Sequence, residues 1–533
     1  MGGLFFLWIS GLRVITPTQF AWVMQLDWRI HFLGWHFFRN EPWHWPPGRI
    51  ENYFAPAGTA IGFTDSIPLL AFLLKPFSSW LPETFQYLGL WLLTCFILQG
   101  VFGALLARLW TPSRLLQLLA ATFFVLMPTL LIRVGHPSLC AHWLLLWALW
   151  FYFRGESGGA QPVSAQLALG LIAGLMHPYL AVMVLAVLAA LAVKDWNRHA
   201  AAGFTAAIAA VLSGWWLAGL FTVSGADNLS SDGFSYYSLN LLSPITPSGW
   251  STLLPSMPLA TEGQAYEGFQ YFGAGTLALT IVAAAMVLVA RPRLPRRVLW
   301  PVVAATMICA IYALSPRVTL GATTLVDVSH LVSDRFALFR ATGRFFWPLG
   351  YLLLTGTLAL VSTRLAPRAA IATLTLALAV QLVDLSAAHQ QRYATSRSAA
   401  FHAWENPLRA SLWHQALPHY DHLVLYPPRQ CASAPIGFEG PAYLAGLHGL
   451  TINSAEVARF DDPARIAYCA HLSQQMATGM VDERSIYLMD QATAAQFKSV
   501  AVTPLACGPI DVMTVCVSQA SYQTWRAGAE LGE

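Results

Sequence analysis

Long apolar runs recur through the first 385 residues of this 533-residue chain and constrain its fold more than any other feature. A helix that crosses a bilayer needs about 20 mostly apolar residues, because the hydrocarbon core is about 30 Å thick. Candidate runs lie at residues 85–107, 115–133, 138–153, 163–176, 179–193, 201–222, 272–290, 298–315, 345–363 and 369–385. Only 11% of the residues are charged, whereas a soluble domain carries about 25%. The sequence therefore predicts a membrane protein whose helices cross the bilayer many times.

Two of these regions depart from a regular span. The N-terminal run, from Gly3 to about Met24, is interrupted by Arg13 and Pro17. Either this helix is short and tilted, or the chain starts upstream and Met1 falls inside the first span; we favour the second interpretation. The runs 163–176 and 179–193 meet at His177-Pro178, where proline cannot donate to the helix ladder, so we expect a hairpin or a broken helix. With the N-terminal helix, the count is about eleven spans.

The distribution of basic residues predicts the orientation. Short loops rich in Lys and Arg face the cytoplasm, and alternate loops here contain Arg108, Arg114, Arg154, Lys194, Arg198, Arg291, Arg293, Arg296, Arg297, Arg364 and Arg368. The remaining loops are long, at residues 25–84, 223–271 and 316–344, and are expected to face outward. Eleven spans then place the N-terminus in the cytoplasm and the C-terminal region outside.

After about Ala387 the pattern becomes that of a soluble domain. Residues 388–533 alternate short apolar runs with turn residues, which is typical of a small α/β or α+β domain. Four cysteines fall there, Cys431, Cys469, Cys507 and Cys516. They predict two disulfides with three pairings open, the alternative being buried free thiols. The other three cysteines are expected to be core thiols, and no metal-ligand motif is present.

The first outward loop mixes tryptophan with ionisable residues, a composition that suits a membrane–water interface. Asp27 and His31 are spaced i, i+4 and would share one face of a helix. Asp27 is a candidate catalytic acid; alternatively, it is an interfacial acid that is solvated by water or paired with Arg29. Asp65 precedes the run IPLL and is either an N-cap or a second catalytic candidate.

The third outward loop ends in two arginines at the start of the next span. Arg340 and Arg344 have the bidentate geometry that suits a phosphate or diphosphate; the alternative is snorkelling or anchoring to anionic lipid. Arg335 could extend the same patch. Other polar candidates for substrate binding are Arg39, Lys75, His31, His136 and His177.

These features resemble the GT-C superfamily of integral-membrane glycosyltransferases. More narrowly, residues 20–385 resemble a bacterial family of polytopic membrane proteins with a domain of unknown function. The segments that carry this resemblance are DWRIHFLGWHFFRNEPW, NYFAPAGTAIGFTDSIP, GHPSLCAHW, NLLSPITPSGW, YEGFQYFG and FRATGRFFWP. The resemblance implies a GT-C-like bundle of about 11 helices (residues 1–387) followed by a periplasmic domain (388–533), in the bacterial inner membrane.

The resemblance also implies a reaction. A sugar would pass from a polyprenyl-phosphate or polyprenyl-diphosphate carrier to a hydroxyl of lipopolysaccharide, exopolysaccharide or protein. Asp27 would be the general base, with Asp65 as the reserve acid, and Arg340 and Arg344 would hold the leaving phosphate, with Arg39, Lys75 and His136 as lesser candidates. Trp28 follows Asp27 where better-known members have a second acid, so dependence on a divalent metal stays open.

Two other functions remain compatible with the sequence. The chain could be a transporter or flippase for a lipid-linked glycan, although its polar groups cluster in loops rather than at the membrane midplane. It could also be a non-catalytic assembly protein of the cell envelope, since fold does not imply function. Membrane lipids are expected contacts, and a nucleic acid is not an expected partner.

Overall fold

The computed structural model describes residues 1–154, 162–223, 233–290, 296–432 and 437–523, without the side chains of residues 290, 334 and 335. The first α-helices are α1 (Gly2–Ser10), α2 (Leu12–Ile15), α3 (Trp28–Asn40), α4 (Pro68–Leu74), α5 (Leu88–Arg108), α6 (Arg114–Val125), α7 (Pro128–Ile132), α8 (Trp143–Arg154), α9 (Val163–Gly174), α10 (Pro178–Asp195) and α11 (Arg198–Leu217). They are followed by α12 (Glu262–Tyr266), α13 (Ala274–Ala290), α14 (Arg296–Leu314), α15 (Trp347–Arg364), α16 (Pro367–Asp384), α17 (Ser386–Arg397), α18 (Leu412–Ala416), α19 (Glu439–His448), α20 (Asp462–Ala477) and α21 (Gln491–Val500).

The strands are β1 (Arg49–Ile50), β2 (Thr59–Ala60), β3 (Arg317–Leu320), β4 (Thr323–Asp327), β5 (His422–Leu425), β6 (Thr451–Ile452), β7 (Ser485–Met489), β8 (Leu505–Ile510) and β9 (Met513–Ser518). The 3₁₀ helices used below are Lys75–Trp80, Arg133–Gly135 and Thr342–Phe346.

The chain forms two compact units. The first contains Met1–Gln19, Tyr87–Gly214 and Leu229–Phe401, and the second contains Phe20–Gln86, Trp215–Asn228 and His402–Glu533. The first long loop therefore belongs to the same compact unit as the C-terminal region. A single division of the chain at residue 387 would instead place this loop with the helices. The proposed boundary of a separate periplasmic domain remains a prediction.

The helical unit has the apolar helices of a membrane protein. Within the described residues, six helices are long and apolar enough to cross a bilayer, or seven if α6 and the bent segment after it form one broken span. The six are α5, α10, α11, α14, α16 and the continuous segment Thr342–Arg364. The predicted count of eleven is not confirmed, because other apolar helices are short: α8 and α9 have 12 residues each.

The break at His177-Pro178 is confirmed. Helix α9 ends at Gly174 and α10 begins at Pro178, with His177 as the N-cap. The Nδ1 atom of His177 accepts a hydrogen bond from the N–H of Tyr179 at 3.3 Å. Proline is well suited to the first helical position, where its missing N–H would have no partner within the helix.

A mixed sheet forms the centre of the second unit. Its described strands run in the order β6-β5-β7-β9-β8. Strands β6, β5 and β7 are parallel to one another, β9 is antiparallel to β7, and β8 is antiparallel to β9. These strands confirm a C-terminal sheet domain. Buried side chains pack on the sheet; they are Leu472, Met476, Tyr487, Met489, Ala494, Phe497, Leu505 and Cys516.

The first long loop adds backbone pairing to the edge of this sheet. The N–H of Ile452 donates to the carbonyl of Asn52, and the N–H of Ala55 donates to the carbonyl of Ile452, both at 2.8 Å. Next to this edge, Arg29 in α3 pairs with Glu439 at 3.1 Å and with Glu456 at 2.9 Å. These contacts explain why the loop and the C-terminal residues form one compact unit.

The cysteines follow the sequence prediction. Within the described residues, Cys431 is bonded to Cys469 and Cys507 to Cys516, which selects one of the three pairings. The remaining cysteines, Cys95, Cys140 and Cys309, are free and buried.

The capping interpretation of Asp65-Ser66 is wrong. Helix α4 begins at Pro68 with Ile67 as the N-cap, and no side chain caps its first turn. The hydroxyl of Ser66 instead donates to the carbonyl of His31 at 2.7 Å. The Ser66 side chain, which the local pattern assigns to the cap of α4, therefore makes a tertiary hydrogen bond to α3 instead.

Candidate functional site

A buried carboxylate held by two guanidiniums is the main polar centre of the helical unit. Glu267 follows α12, and its Oε1 and Oε2 atoms accept hydrogen bonds from Nη2 and Nε of Arg344 at 2.6 and 2.7 Å. Nη1 of Arg133 donates to the same carboxylate at 2.6 Å. All three side chains are buried. Buried charges persist only when paired and hydrogen-bonded, and this cluster meets that condition.

Local breaks in the helices position the two arginines. Arg133 begins a 3₁₀ turn after Pro128 has bent the helical segment by 44°. Arg344 lies in the 3₁₀ turn that leads into α15. A Cβ atom on the neighbouring Gly343 would lie only 2.6 Å from the Cα of Gly268, so glycine allows the backbone to approach the residue after Glu267.

The cluster carries a net positive charge. Burial alone would raise the pKa of Glu267, but Arg133 and Arg344 outweigh that effect and hold the pKa well below its usual range. One carboxylate between two guanidiniums leaves a formal charge of +1. The buried Nε of Arg133 has no hydrogen-bond partner among the described residues.

Aromatic and imidazole rings surround these arginines. The guanidinium of Arg344 lies 4.7 Å from the ring centroid of Tyr179, and that of Arg133 lies 5.2 Å from Tyr266. The rings of His136 and His177 are adjacent, with centroids 6.1 Å apart. These imidazoles can donate hydrogen bonds or ligate a metal.

Arg340 and Arg344 have different environments despite their spacing. Arg340 is exposed and makes no hydrogen bond or ion pair within the described part of the chain. Arg344 is buried and engaged by Glu267. Arg340 is therefore better placed to meet a ligand directly, and Arg344 to set the local charge. The side chain of Arg335 lies outside the described residues.

The second unit contains both candidate acids. Asp27 is half-buried at the N-terminus of α3, and the neighbouring Arg29 is engaged by Glu439 and Glu456. Asp65 is half-buried with a backbone φ of 53°, a conformation that is uncommon outside glycine. Its carbonyl is hydrogen-bonded to Nδ1 of the fully buried His31. Strained backbone of this kind persists where the surroundings hold it and is common at functional sites.

Arg39 is committed to backbone carbonyls. Nη1 donates to Pro82 and Glu83 at 2.8 and 3.3 Å, and Nη2 donates to Ser78 and Leu81 at 2.8 and 3.3 Å. The fork geometry of a guanidinium makes such multiple contacts possible. This arrangement holds the chain between α4 and α5 and accounts for the burial of Arg39.

Lys75 is also buried. Its ammonium donates to the carbonyl of Pro42 at 3.1 Å and lies 3.9 Å from the ring centroid of Phe38. Burial lowers the pKa of Lys75 to about 8, with Glu41 acting in the opposite direction. The side chain therefore contributes to the packing of the first loop.

Glu267 and Arg133 are absent from the residues singled out by sequence. A signal was available for Arg133, because it is an ionisable residue within the apolar run 115–133, and such residues are usually functional in membrane proteins. Glu267 lies in a predicted outward loop, where a charged residue carries no such signal. Their pairing was not predictable, since they are 134 positions apart.

Comparison with known proteins gives a family match over most of the chain. The profile described as "Domain of unknown function (DUF6311)" matches residues 1–386, and "DUF6311 C-terminal domain" matches residues 412–518. No curated protein matches the chain.

The chain is also similar to solved structures of an oligosaccharyltransferase from Archaeoglobus fulgidus. The apo form has a TM-score of 0.42 at 13% identity, covering 94% of this chain and 70% of that one. The enzyme AglB in complex with an inhibitory peptide and a dolichol-phosphate gives 0.41 at 13%, covering 97% and 74%. The complex with Zn and sulfate gives 0.37 at 13%, covering 85% and 62%.

Proposed function

This chain belongs to the DUF6311 family, and we propose that it is a membrane glycosyltransferase that uses a lipid-linked sugar. The donor is a polyprenyl-phosphate or polyprenyl-diphosphate sugar, and the acceptor is a hydroxyl of lipopolysaccharide, exopolysaccharide or protein on the periplasmic face. The observation that carries the proposal is the buried Arg133–Glu267–Arg344 cluster, together with the exposed Arg340 four positions before Arg344. The sequence resemblance to GT-C glycosyltransferases supports the same reaction.

The charge of the cluster fits the phosphate of the carrier. Arg340 contacts a phosphate oxygen, while Glu267 fixes the orientation of the buried guanidiniums and leaves a net positive charge behind it. When the acceptor oxygen attacks the anomeric carbon, the bond from that carbon to the phosphate oxygen breaks. The phosphate leaves with the electron pair, and fixed positive charge stabilises it.

An acid in the first long loop takes the proton of the acceptor hydroxyl. Asp27 is the first choice because of its place in the resemblance. Asp65 is the alternative, because its positive φ and the anchored His31 hold its turn in an unusual conformation. A positioned carboxylate that removes this proton assists a direct displacement of the phosphate, and a single displacement of this kind inverts the anomeric carbon.

Turnover by the purified full-length protein in lipid nanodiscs tests this mechanism. A panel of polyprenyl-phosphate and polyprenyl-diphosphate sugars is supplied with envelope acceptors, and wild type is compared with Asp27→Asn and Asp65→Asn. Loss of the general base lowers kcat by roughly 10²–10⁴-fold. Equal turnover by wild type and both variants would reject these acids. Binding of every donor without turnover would favour a flippase or an assembly protein.

Donor affinity tests the phosphate contact separately. Arg340→Ala is expected to weaken binding by roughly 1.5–3 kcal/mol, as for loss of a hydrogen bond to a charged group. Arg317→Ala is the matched control, because this exposed arginine of the same loop is paired with Asp327 at 2.8 Å. Equal affinity of wild type and Arg340→Ala would contradict the assignment.

A further inference from the structure

A short helical segment in the first long loop has its apolar side exposed. Helix α4 continues directly into the 3₁₀ helix Lys75–Trp80 to give the segment 68–80. Leu73, Phe77 and Trp80 are 58%, 47% and 82% exposed. Phe77 and Trp80 are three residues apart, which is one turn of a 3₁₀ helix, and Leu73 precedes Phe77 by about one turn, so the three lie on the same side of the segment.

The opposite side of the segment buries its single charge. Lys75 is the only charged residue between positions 68 and 80, and it is buried together with Ala71. Its ammonium lies 4.5 Å from the ring centroid of Trp43 as well as against Phe38. A helix facing water has the reverse arrangement, with polar groups outside and apolar groups inside. The outer face of this segment is therefore suited to lipid.

Two tryptophans extend the exposed apolar surface. Trp43 and Trp45 are 50% and 77% exposed. The ring of Trp43 stacks on Phe72 of α4, with centroids 6.2 Å apart. Tryptophan is enriched at membrane interfaces because its ring is apolar and its N–H is polar.

Contacts with the end of a candidate span place this loop near the membrane surface. Trp45 lies against Trp216, with ring centroids 4.9 Å apart, and the N–H of Gly48 donates to the carbonyl of Leu217 at 2.8 Å. Trp216 and Leu217 are the last residues of α11, one of the apolar helices long enough to cross a bilayer. The end of such a helix lies at the bilayer surface.

The chain connection to α5 independently limits how far segment 68–80 can lie from the membrane. Trp80 precedes Leu88, the first residue of the candidate span α5, by eight positions. Eight residues reach at most about 28 Å. The thirteen residues of segment 68–80 would extend only about 20 Å as a helix, which is too short to cross the hydrocarbon core.

We propose that segment 68–80 lies in the plane of the membrane interface and inserts one face into a single leaflet. The inserted side chains are Trp43, Trp45, Leu73, Phe77 and Trp80, and the partner is the boundary between lipid headgroups and acyl chains. Because the only cation of the segment is buried, insertion depends on apolar contact rather than on anionic lipid. The proposal concerns lipid contact alone and does not require sugar transfer.

Depth measurements on the full-length protein in nanodiscs test this placement. Single cysteines at Phe77→Cys and Trp80→Cys carry an environment-sensitive fluorophore, after Cys95, Cys140 and Cys309 are replaced by Ala. Arg484→Cys is the matched control, because the Arg484 side chain is 70% exposed in the same compact unit. We expect labels 77 and 80 to be quenched by lipids bearing a nitroxide near the headgroup and to be shielded from iodide. Label 484 should show the opposite behaviour.

The same measurements in nanodiscs of different lipid charge test the apolar character of the insertion. The quenching of labels 77 and 80 should be the same in neutral and in partly anionic nanodiscs. Leu73→Cys replaces either of the two variants if that variant fails to fold. Iodide quenching at 77 and 80 as strong as at 484 would overturn the proposal. Shielding from iodide without quenching by nitroxide lipids would assign the surface to a protein partner and would also overturn it.

Discussion

The carboxylate of Glu267 and the guanidinium of Arg344 form a bidentate pair in the buried interior of the helical unit, with distances of 2.6 and 2.7 Å. Arg133 binds the same carboxylate from another segment. Glu267 thus joins the turn before α15 to the 3₁₀ turn after α7. The orientation of Arg344 depends on an acid 77 positions away in the sequence.

Removal of this acid should destabilise the protein strongly. Glu267→Ala leaves two guanidiniums buried without their counter-charge, and breaking a buried pair typically costs about 3–5 kcal/mol. Thermal denaturation in detergent should show a large fall in midpoint. Asp327→Ala, which breaks the exposed pair with Arg317, is the control and should change the midpoint little. Equal effects of the two substitutions would contradict a structural role for the buried pair.

Arg39 should hold the chain between α4 and α5. Arg39→Ala leaves four carbonyls of this segment without their donor, those of Ser78, Leu81, Pro82 and Glu83, and Arg39→Lys cannot reproduce the fork. We expect both variants to be cleaved faster by protease between residues 76 and 86, as measured by mass spectrometry of the fragments. Arg49→Ala removes only a hydrogen bond to Ala57 and should not accelerate cleavage there. Unchanged cleavage in Arg39→Ala would show that other contacts hold this segment.

Glu41 should make stability depend on pH near neutrality. Burial raises the pKa of Glu41 to about 7, although its carboxylate accepts hydrogen bonds from the N–H groups of Asn52 and Glu51. The unfolded pKa is about 4.3. Ionisation of Glu41 in the folded protein therefore costs no folding stability below that pH, costs more as the pH rises to about 7, and reaches its full cost above pH 7. Glu41→Gln should therefore gain stability relative to wild type between pH 5 and pH 8, by up to about 3 kcal/mol.

Denaturation midpoints at pH 5 and pH 8 measure this difference. Glu51→Gln alters a neighbouring, more exposed carboxylate and serves as the control, with little change between the two pH values. Glu267 contributes in the opposite sense. Its ionised carboxylate stabilises the folded protein fully above about pH 4.5, the ordinary pKa, and this stabilisation decreases progressively as the pH falls below that value. A Glu41→Gln difference that is equal at pH 5 and pH 8 would contradict the prediction.

The two disulfides should contribute unequally to stability. Their sequence separations are 38 residues for Cys431–Cys469 and 9 for Cys507–Cys516. The chain-entropy model gives about 4 kcal/mol for the longer loop and about 2.5 kcal/mol for the shorter one. Paired Cys→Ser variants compared by thermal denaturation should follow that order, and the reverse order would exclude loop entropy as the main cause.

Several features of the fold could be predicted because their signal is local. Proline at position 178 cannot continue a helix, and the structure confirms the break there. The runs HLVL and SIYLM are strands β5 and β7, since their apolar residues have the composition and length of buried strands. The count of spans was less predictable, because an apolar run can contain a short helix followed by a break.

The candidate site was only partly predictable. Arg340 and Arg344 are the same residue type and lie four positions apart, yet one is exposed and the other is paired with Glu267. Asp65-Ser66 has the pattern of a helix cap, but Ser66 bonds to α3. In each case a contact with a distant segment outweighs the local preference, and a single sequence does not reveal such contacts.

The sequence by itself therefore determined that this protein is a membrane protein with apolar helices, a C-terminal sheet and loops rich in ionisable and aromatic residues. These properties follow from composition and short-range periodicity. Only the tertiary structure decided that Arg133 and Arg344 meet at Glu267, which cysteines are bonded, and that Lys75 points inward while Phe77 and Trp80 point outward. The reason is physical: the free energy of a buried charge, a disulfide or an apolar face depends on what it packs against, and those neighbours are distant in the chain.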